Sequence, residues 1–343
     1  MNTYRLGIVV LAAGEGTRMR SSLPKVLHPI CGRPLLGHVL AVADALEAAA
    51  VVVVLAEDTV GQVRAQFGER YSYAVQSERL GTGHAVLQAR SLLLNQSDDV
   101  LVLYGDTPLL RAETARAVVD ARRANEEALV SLLSFHAHPP AGYGRVLRDA
   151  AGHVVELVEE RNATPEQRAI TEGNSGIMCF DADWLWDAVG RIQRNPVKGE
   201  YYLTDLVAMA VGECGPGAAL AMPAADERDA WGVNDRAQLA QAGAALRERI
   251  LTELMRAGVT VVDPAATYVD AGVTVGVETV LLPGTLLQGA TQVGRGCTIG
   301  PHATICGSTI GDWAQIRHAV VERATVPDGA VIGPFVHLSG DAT

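Results

Sequence analysis

The pattern of apolar and polar positions divides the chain into two regimes. Up to residue 233, short β-rich apolar runs at 6–12, 51–55, 73–75 and 100–104 alternate with stretches of helical composition and length at 35–48, 59–67, 83–94 and 112–123. That rhythm predicts an α/β domain around a mostly parallel sheet. Such sheets bind ligands at the carboxyl ends of their strands, so the loops after Ala12 and Tyr104 are where chemistry is expected. Residues 235–258 read as one helix, capped by Asn234 or Asp235 and closed by Gly258.

From Val269 the period changes. Aliphatic residues recur at every sixth position, at Val269, Val275, Leu281, Leu287, Val293, Ile299 and Ile305. After a one-residue slip the pattern resumes at Ile310 and Ile316, then runs less regularly through Val326, Ile332 and Leu338. Glycine often follows the aliphatic position, as in Val275-Gly276, Val293-Gly294 and Ile299-Gly300. This is the signature of a parallel β-helix, in which three such repeats make a turn and stack their aliphatics inside. The predicted organisation is a first domain at 1–233, a linker helix at 234–258 and a hexapeptide-repeat solenoid at 259–343, with no evident cap on the last coil.

Composition narrows the partners. A chain of 343 residues, 48% hydrophobic and 20% charged, can build two cores and is not disordered. With 28 basic against 39 acidic residues and a formal charge of −11, it lacks the cationic surplus of a nucleic-acid binder. Any polyphosphate must therefore be held locally, by a few side chains and the backbone. Five scattered cysteines without a CxxC pair favour a reducing, cytoplasmic setting over a zinc site or a disulfide framework. The opening apolar run reads as a buried strand rather than a leader, and no run approaches the roughly 18 residues that cross a bilayer, so no membrane partner is expected.

The strongest local signal is Leu11-Ala12-Ala13-Gly14-Glu15-Gly16-Thr17-Arg18-Met19, followed by Pro24-Lys25. A strand that runs into small residues and two glycines exposes backbone N–H groups to a polyphosphate. Arg18 offers a bidentate phosphate contact and Lys25 a point charge. The loop is neither a Walker loop nor a dinucleotide fingerprint, since no G-K-[ST] follows and the third glycine is missing. An ordinary glycine turn, with both basic residues solvated, is the competing reading.

Together with Arg18 and Pro24-Lys25, the loop resembles the signature of the sugar-nucleotide pyrophosphorylases. Further segments narrow the likeness: Gln76 before Gly81-Thr82-Gly83-His84-Ala85, Leu103-Tyr104-Gly105-Asp106-Thr107-Pro108-Leu109, Gly142-Tyr143-Gly144-Arg145, Glu159 before Asn162-Ala163-Thr164, Asn174-Ser175-Gly176-Ile177, Tyr201-Tyr202-Leu203-Thr204-Asp205 and Gly232-Val233-Asn234. Joined to a hexapeptide solenoid, they make the whole chain similar to the bacterial N-acetylglucosamine-1-phosphate uridyltransferase family. The resemblance implies a Rossmann-like nucleotidyltransferase domain followed by a left-handed parallel β-helix. It also implies uridylyl transfer from UTP to N-acetylglucosamine 1-phosphate, in the synthesis of cell-wall precursors.

The resemblance also implies roles. Asp106 and Asn234 match the positions that hold Mg²⁺, a cation satisfied by few protein oxygens plus phosphate and water; a helix N-cap is the competing reading of Asp106. Leu11, Ala12, Ala13, Gly14, Lys25, Gln76, Gly81 and Thr82 match nucleotide contacts, with the Gln76 amide suited to the alternating donors and acceptors of uracil. Tyr104, Gly105, Asp106, Gly144, Glu159, Asn174, Thr204 and Asn234 match positions lining the sugar or the nucleotide diphosphate, and Arg18 and Lys25 match the catalytic cations. Members of this family usually carry an acetyltransferase in the solenoid and associate through it as trimers, so a homotrimer is a possible partner state.

One departure stands out. After Ile332-Gly333-Pro334-Phe335 the family's phosphate-binding arginine is replaced by His337, and the sequence stops at Thr343, so acetyltransferase activity is expected to be absent. The rival readings are another sugar or base within the same enzyme class, a non-catalytic scaffold, and a surviving acetyltransferase. Arg18, Lys25, Asp106 and Asn234 occurring together count against the scaffold.

Overall fold

The computed structural model describes residues 4–137, 142–196 and 198–340. Strand β1 (Leu6–Leu11) is buried at every position. It is apolar throughout because both of its faces are covered: Val9 and Leu11 join one cluster of buried side chains, Ile8 and Val10 another. The short strands β2 (Pro29–Ile30) and β3 (Arg33–Pro34) follow, then α1 (Leu35–Ala45), β4 (Ala50–Ala56), α2 (Val60–Phe67) and β5 (Ser72–Gln76). Helices α3 (Thr82–Gln88) and α4 (Arg90–Leu93) lead to β6 (Asp99–Tyr104) and α5 (Ala112–Arg123). Next come β7 (Val130–His136), β8 (Gly144–Arg148), β9 (Val154–Val158), α6 (Pro165–Arg168), β10 (Glu172–Asp181), α7 (Ala182–Ala188), α8 (Asp205–Cys214), β11 (Ala219–Pro223) and the long helix α9 (Arg236–Arg256).

Nine of these strands form one sheet in the order β11-β7-β10-β6-β1-β4-β5, with β8 paired to β10 and β9. The four strands at the β5 end are mutually parallel, so β1, β4, β5 and β6 present their carboxyl ends along one edge. Strand β10 runs antiparallel to both β6 and β7, and its register shifts between Asn174 and Met178. That irregularity delivers Asn174, Ser175 and Gly176 to the same edge as the ends of β1 and β6. Helices α3, α7 and α8 supply the cluster on one face, and α1, α2 and α5 the cluster on the other.

Two expected helices are shorter than their composition suggests. The run at 35–48 stops at Ala45, ahead of Glu47 in the left-handed region at φ 53°. The run at 83–94 breaks at Ala89, whose N–H bonds only three residues back, to the Val86 carbonyl at 3.0 Å. Among the described residues, no helix is long and apolar enough to cross a membrane.

The chain forms two compact units, Met1–His28 with Leu35–Gln238, and Pro29–Pro34 with Leu239–Thr343. The hairpin of β2 and β3 thus belongs to the second unit despite its early place in the chain; the Ala271 N–H bonds the Cys31 carbonyl at 2.9 Å. The rest of that unit is a parallel β-helix with three faces, each a sheet of two- to four-residue strands. The inward aliphatics stack in register as Val269, Leu287, Ile305, Val321 and Leu338 on one face and Leu281, Ile299, Ile316 and Ile332 on another. The parallel β-helix read from the hexapeptide period, left-handed as the family resemblance implied, is thereby realised, with an additional first strand at Thr260–Val261. Coil length shortens along the arm: Leu287 pairs with Ile305, 18 positions on, whereas Ile305 pairs with Val321, 16 on.

The coils fit together at their corners as well as through their core. A methyl group on Gly284 would lie 2.5 Å from Nδ1 of His302, and one on Gly296 would lie 2.2 Å from the Trp313 ring. Buried threonines close other corners, with the Thr279 hydroxyl donating to the Gly294 carbonyl at 2.8 Å and the Thr291 hydroxyl to that of Gln288 at 2.6 Å.

Candidate active site

A cavity of about 660 Å³ opens in the first unit at the carboxyl ends of the parallel strands. Its wall starts with the turn that leaves β1. Leu11, Ala12, Ala13 and Gly14 line it. The N–H groups of Ala13, Gly14, Glu15 and Gly16 have no protein acceptor among the described residues. A run of unspent donors is the requirement for holding an anion by backbone alone.

Lys25 reaches the cavity because Gly16 makes room for it. Gly16 has φ 64°, and a Cβ there would fall 2.7 Å from the Lys25 Cβ. Val26 and Leu27, buried in the next turn, fix the direction from which the lysine enters. Its ammonium forms a salt bridge to Asp106 Oδ2 and donates to Asn234 Oδ1 at 3.3 Å. The backbone holds these two oxygens near each other, since the Val233 N–H bonds the Asp106 carbonyl at 2.8 Å. Asp106 and Asn234 lie 128 positions apart, yet they converge on a single cation.

The next wall follows β5. Gln76 is buried, and its amide nitrogen donates to the Gly81 carbonyl at 3.1 Å and lies 3.0 Å from His84 Nδ1. Gly81 has φ 100°, and a Cβ there would stand 2.6 Å from the Tyr201 carbonyl oxygen. The Thr82 hydroxyl accepts the Leu203 N–H at 3.0 Å, which ties this turn to the segment carrying Thr204. Opposite lie Gly144 and Asn174, neighbours across the β8–β10 pairing. Asn174 Oδ1 accepts the Gly176 N–H at 2.9 Å, and its amide nitrogen has no partner among the described residues. Burial raises the Tyr104 phenol, reinforced by the charges of Glu159 and Asp106, so it stays a neutral donor.

Glu159 accepts the Thr204 hydroxyl at 3.3 Å. Burial holds its carboxyl above the ordinary value; the Thr204 bond opposes this rise, while Asp205 and Glu200 add to it. A carboxyl raised on folding binds its proton more tightly folded than unfolded, so its ionisation destabilises the fold, fully so above the raised value. Glu159→Gln is therefore expected to raise the melting temperature at about pH 7 and to change little at about pH 3, below the unfolded value. Thermal melts of the two chains across that range check this; a variant no more stable than its parent at neutral pH contradicts it.

 Of the residues singled out in the sequence, fourteen line the cavity: Leu11, Ala12, Ala13, Gly14, Lys25, Gln76, Gly81, Thr82, Tyr104, Asp106, Gly144, Glu159, Asn174 and Thr204. Asn234 stands just outside that lining and meets it through the bond from Lys25. Two candidates are not brought in. Arg18 sits exposed on the short turn Thr17–Met19, whose inward side chain is Met19, and it does not line the cavity. Gly105 faces the core instead, where a Cβ would meet Ala12 and Leu36 at 3.2 and 3.3 Å. Conversely, Arg79, Tyr143, Ser175, Gly176 and Tyr202 line the cavity without having been singled out. All but Arg79 fall inside segments quoted for the family likeness, so position within a motif was the available signal; Arg79 had none.

On the solenoid, His337 is exposed and its Nε2 lies 3.1 Å from Glu322 Oε2.

Residues 8–172 match the family described as MobA-like NTP transferase domain. The chain is 41% identical over 330 residues to a protein of Enterococcus faecalis named bifunctional protein GlmU, covering 96% of this chain and 71% of that one. Proteins of the same name from Halalkalibacterium halodurans and Streptomyces avermitilis are 43% and 45% identical, each over 96% of this chain and over 72% and 69% of their own lengths. With its nucleotidyltransferase unit, its β-helix and this extent of identity, the chain belongs to the bifunctional GlmU family of N-acetylglucosamine-1-phosphate uridyltransferases.

Proposed function

We propose that the first unit transfers a uridylyl group from UTP to N-acetylglucosamine 1-phosphate, releasing pyrophosphate, with Mg²⁺ as the cofactor. The observation that carries this reading is the convergence of Asp106 and Asn234 on one cation beside a turn of unspent N–H groups. The Lys25 ammonium is a stand-in there: a carboxylate oxygen and an amide oxygen that together hold one cation are a donor set suited to Mg²⁺. Asp106 and Asn234 would hold the ion, which supplies positive charge against the phosphates when bound.

The reaction needs no general base, because the sugar phosphate oxygen is already anionic. That oxygen forms a bond to the α-phosphorus of UTP as the bond to the bridging oxygen breaks, and pyrophosphate leaves with the electron pair. Catalysis then consists of alignment and charge neutralisation. Lys25 neutralises the reacting phosphate, and the N–H groups of Ala13 to Gly16 hold the departing ones. Gln76 and the Gly81–Thr82 turn hold the base, while Glu159 and Asn174 accept and donate to the sugar. Arg18, outside the cavity lining, is given no step.

Pyrophosphate release with UTP and Mg²⁺, run in parallel on the 1-phosphates of N-acetylglucosamine, glucosamine and glucose, tests the reading. The N-acetylated substrate is expected to lead by roughly tenfold or more, since a site built to pair an amide rejects analogues lacking it. No release with any of the three, or a preference for glucose 1-phosphate, overturns it. Adding acetyl-CoA to the glucosamine 1-phosphate reaction is expected to leave the acetyl group untransferred, His337 standing where the family has an arginine.

A further inference from the structure

Only two basic side chains line the cavity among the described residues, Lys25 and Arg79. Lys25 is accounted for. Arg79 sits in the turn after β5, and its Nε donates to the Ala13 carbonyl at 3.0 Å. Its Nη2 donates to both carboxylate oxygens of Asp58, at 3.0 and 3.2 Å. Asp58 lies in the turn after β4, and Ala13 in the turn after β1. These three strands are parallel neighbours, so one guanidinium laces together three adjacent turns at the edge that carries the cavity.

We propose that Arg79, anchored by Asp58, is a positioning residue that holds the Ala13–Gly14 turn in the conformation that receives the triphosphate. This rests on the uridylyl-transfer reading. A carbonyl oxygen has the wrong polarity for a phosphate, and the Arg79 fork occupies that of Ala13. Across a trans peptide the carbonyl and the following N–H point in opposite directions. Fixing the Ala13 oxygen therefore fixes the Gly14 N–H, one of the unspent donors on the cavity wall. Stability does not explain the arrangement, because the Arg79 and Asp58 side chains are 38% and 68% exposed and such pairs contribute little to folding.

The decisive variant is Asp58→Asn, because charge and positioning demand opposite signs. Asp58 does not line the cavity. If charge alone mattered, removing this carboxylate would tighten UTP binding; if it anchors Arg79, removal must weaken it. UTP titrations of the full chain by calorimetry, with Mg²⁺ and without sugar phosphate, are expected to show about fivefold weaker binding for Asp58→Asn. For Arg79→Gln the loss should be roughly 10- to 100-fold, the range for losing a charged hydrogen bond. Arg79→Lys should recover little, since an ammonium cannot span both partners. The sugar 1-phosphate KM should stay within about twofold, whereas a merely structural defect would move both. Unchanged or tighter UTP binding by Asp58→Asn, or full recovery by Arg79→Lys, overturns the proposal, as does a parent chain that does not bind UTP. Should the parent bind UTP yet transfer nothing to a sugar phosphate, the functional reading fails while the anchored turn stands or falls on the titrations.

Discussion

Lys25→Ala is expected to lower turnover by roughly 10²- to 10³-fold, the cost of one preorganised electrostatic contact to developing charge. The lysine is placed rather than tethered loosely: Gly16 clears its path, Val26 and Leu27 anchor the following turn, and two oxygens receive its ammonium. Its loss should therefore appear in kcat, while the sugar 1-phosphate KM, set by contacts across the cavity, moves far less. Pyrophosphate release under saturating substrates measures it. A Lys25→Ala chain that keeps near-normal kcat would remove the lysine from the reaction and leave the cavity as a binding site only.

The second large effect concerns stability. Asp99, fully buried at the start of β6, receives Arg122 and the Arg123 Nε, the latter at 2.6 Å, and Arg122 also reaches Asp181 at 3.5 Å. Asp99→Ala would take the shared carboxylate from two guanidinium groups whose side chains are only 10% and 21% exposed, leaving Arg122 the longer contact to Asp181. Removing one partner of a buried ionic cluster costs about 3–5 kcal/mol, far more than the roughly 0–1 kcal/mol of an exposed pair. Urea denaturation should show this as a lower midpoint with an unchanged slope. A loss below about 1 kcal/mol would mean that water or rearrangement satisfies the arginines.

Strands β1, β4 and β6 were legible because burial on both faces leaves unbroken apolar runs. Strand β7 was not, since Ser131 and Ser134 interrupt it; both are fully buried, and the Ser131 hydroxyl is satisfied by the Val118 carbonyl at 2.6 Å. Strand β10 opens on Glu172-Gly173-Asn174-Ser175-Gly176, a loop-like composition imposed by the cavity it enters. The solenoid's period was plain, but shorter corners hid Val321 between Ile316 and Val326. In the site, contiguous motifs could be read directly. The place of Arg18 was not legible, because its neighbours in sequence do not reveal that the turn buries Met19 and leaves the arginine exposed, off the cavity lining. Arg79 escaped because its partners, Ala13 and Asp58, meet it only through strand order.

The period of six makes the solenoid look like a string of interchangeable cassettes, and its corners show otherwise. The hollow above Gly284 is filled by His302 and that above Gly296 by Trp313, each a whole coil later in the chain. A hexapeptide grafted alone would carry a hollow without its tenant, or a tenant without its hollow. Heritable change along this arm is thus coupled over the length of a coil, and a workable splice moves both members together.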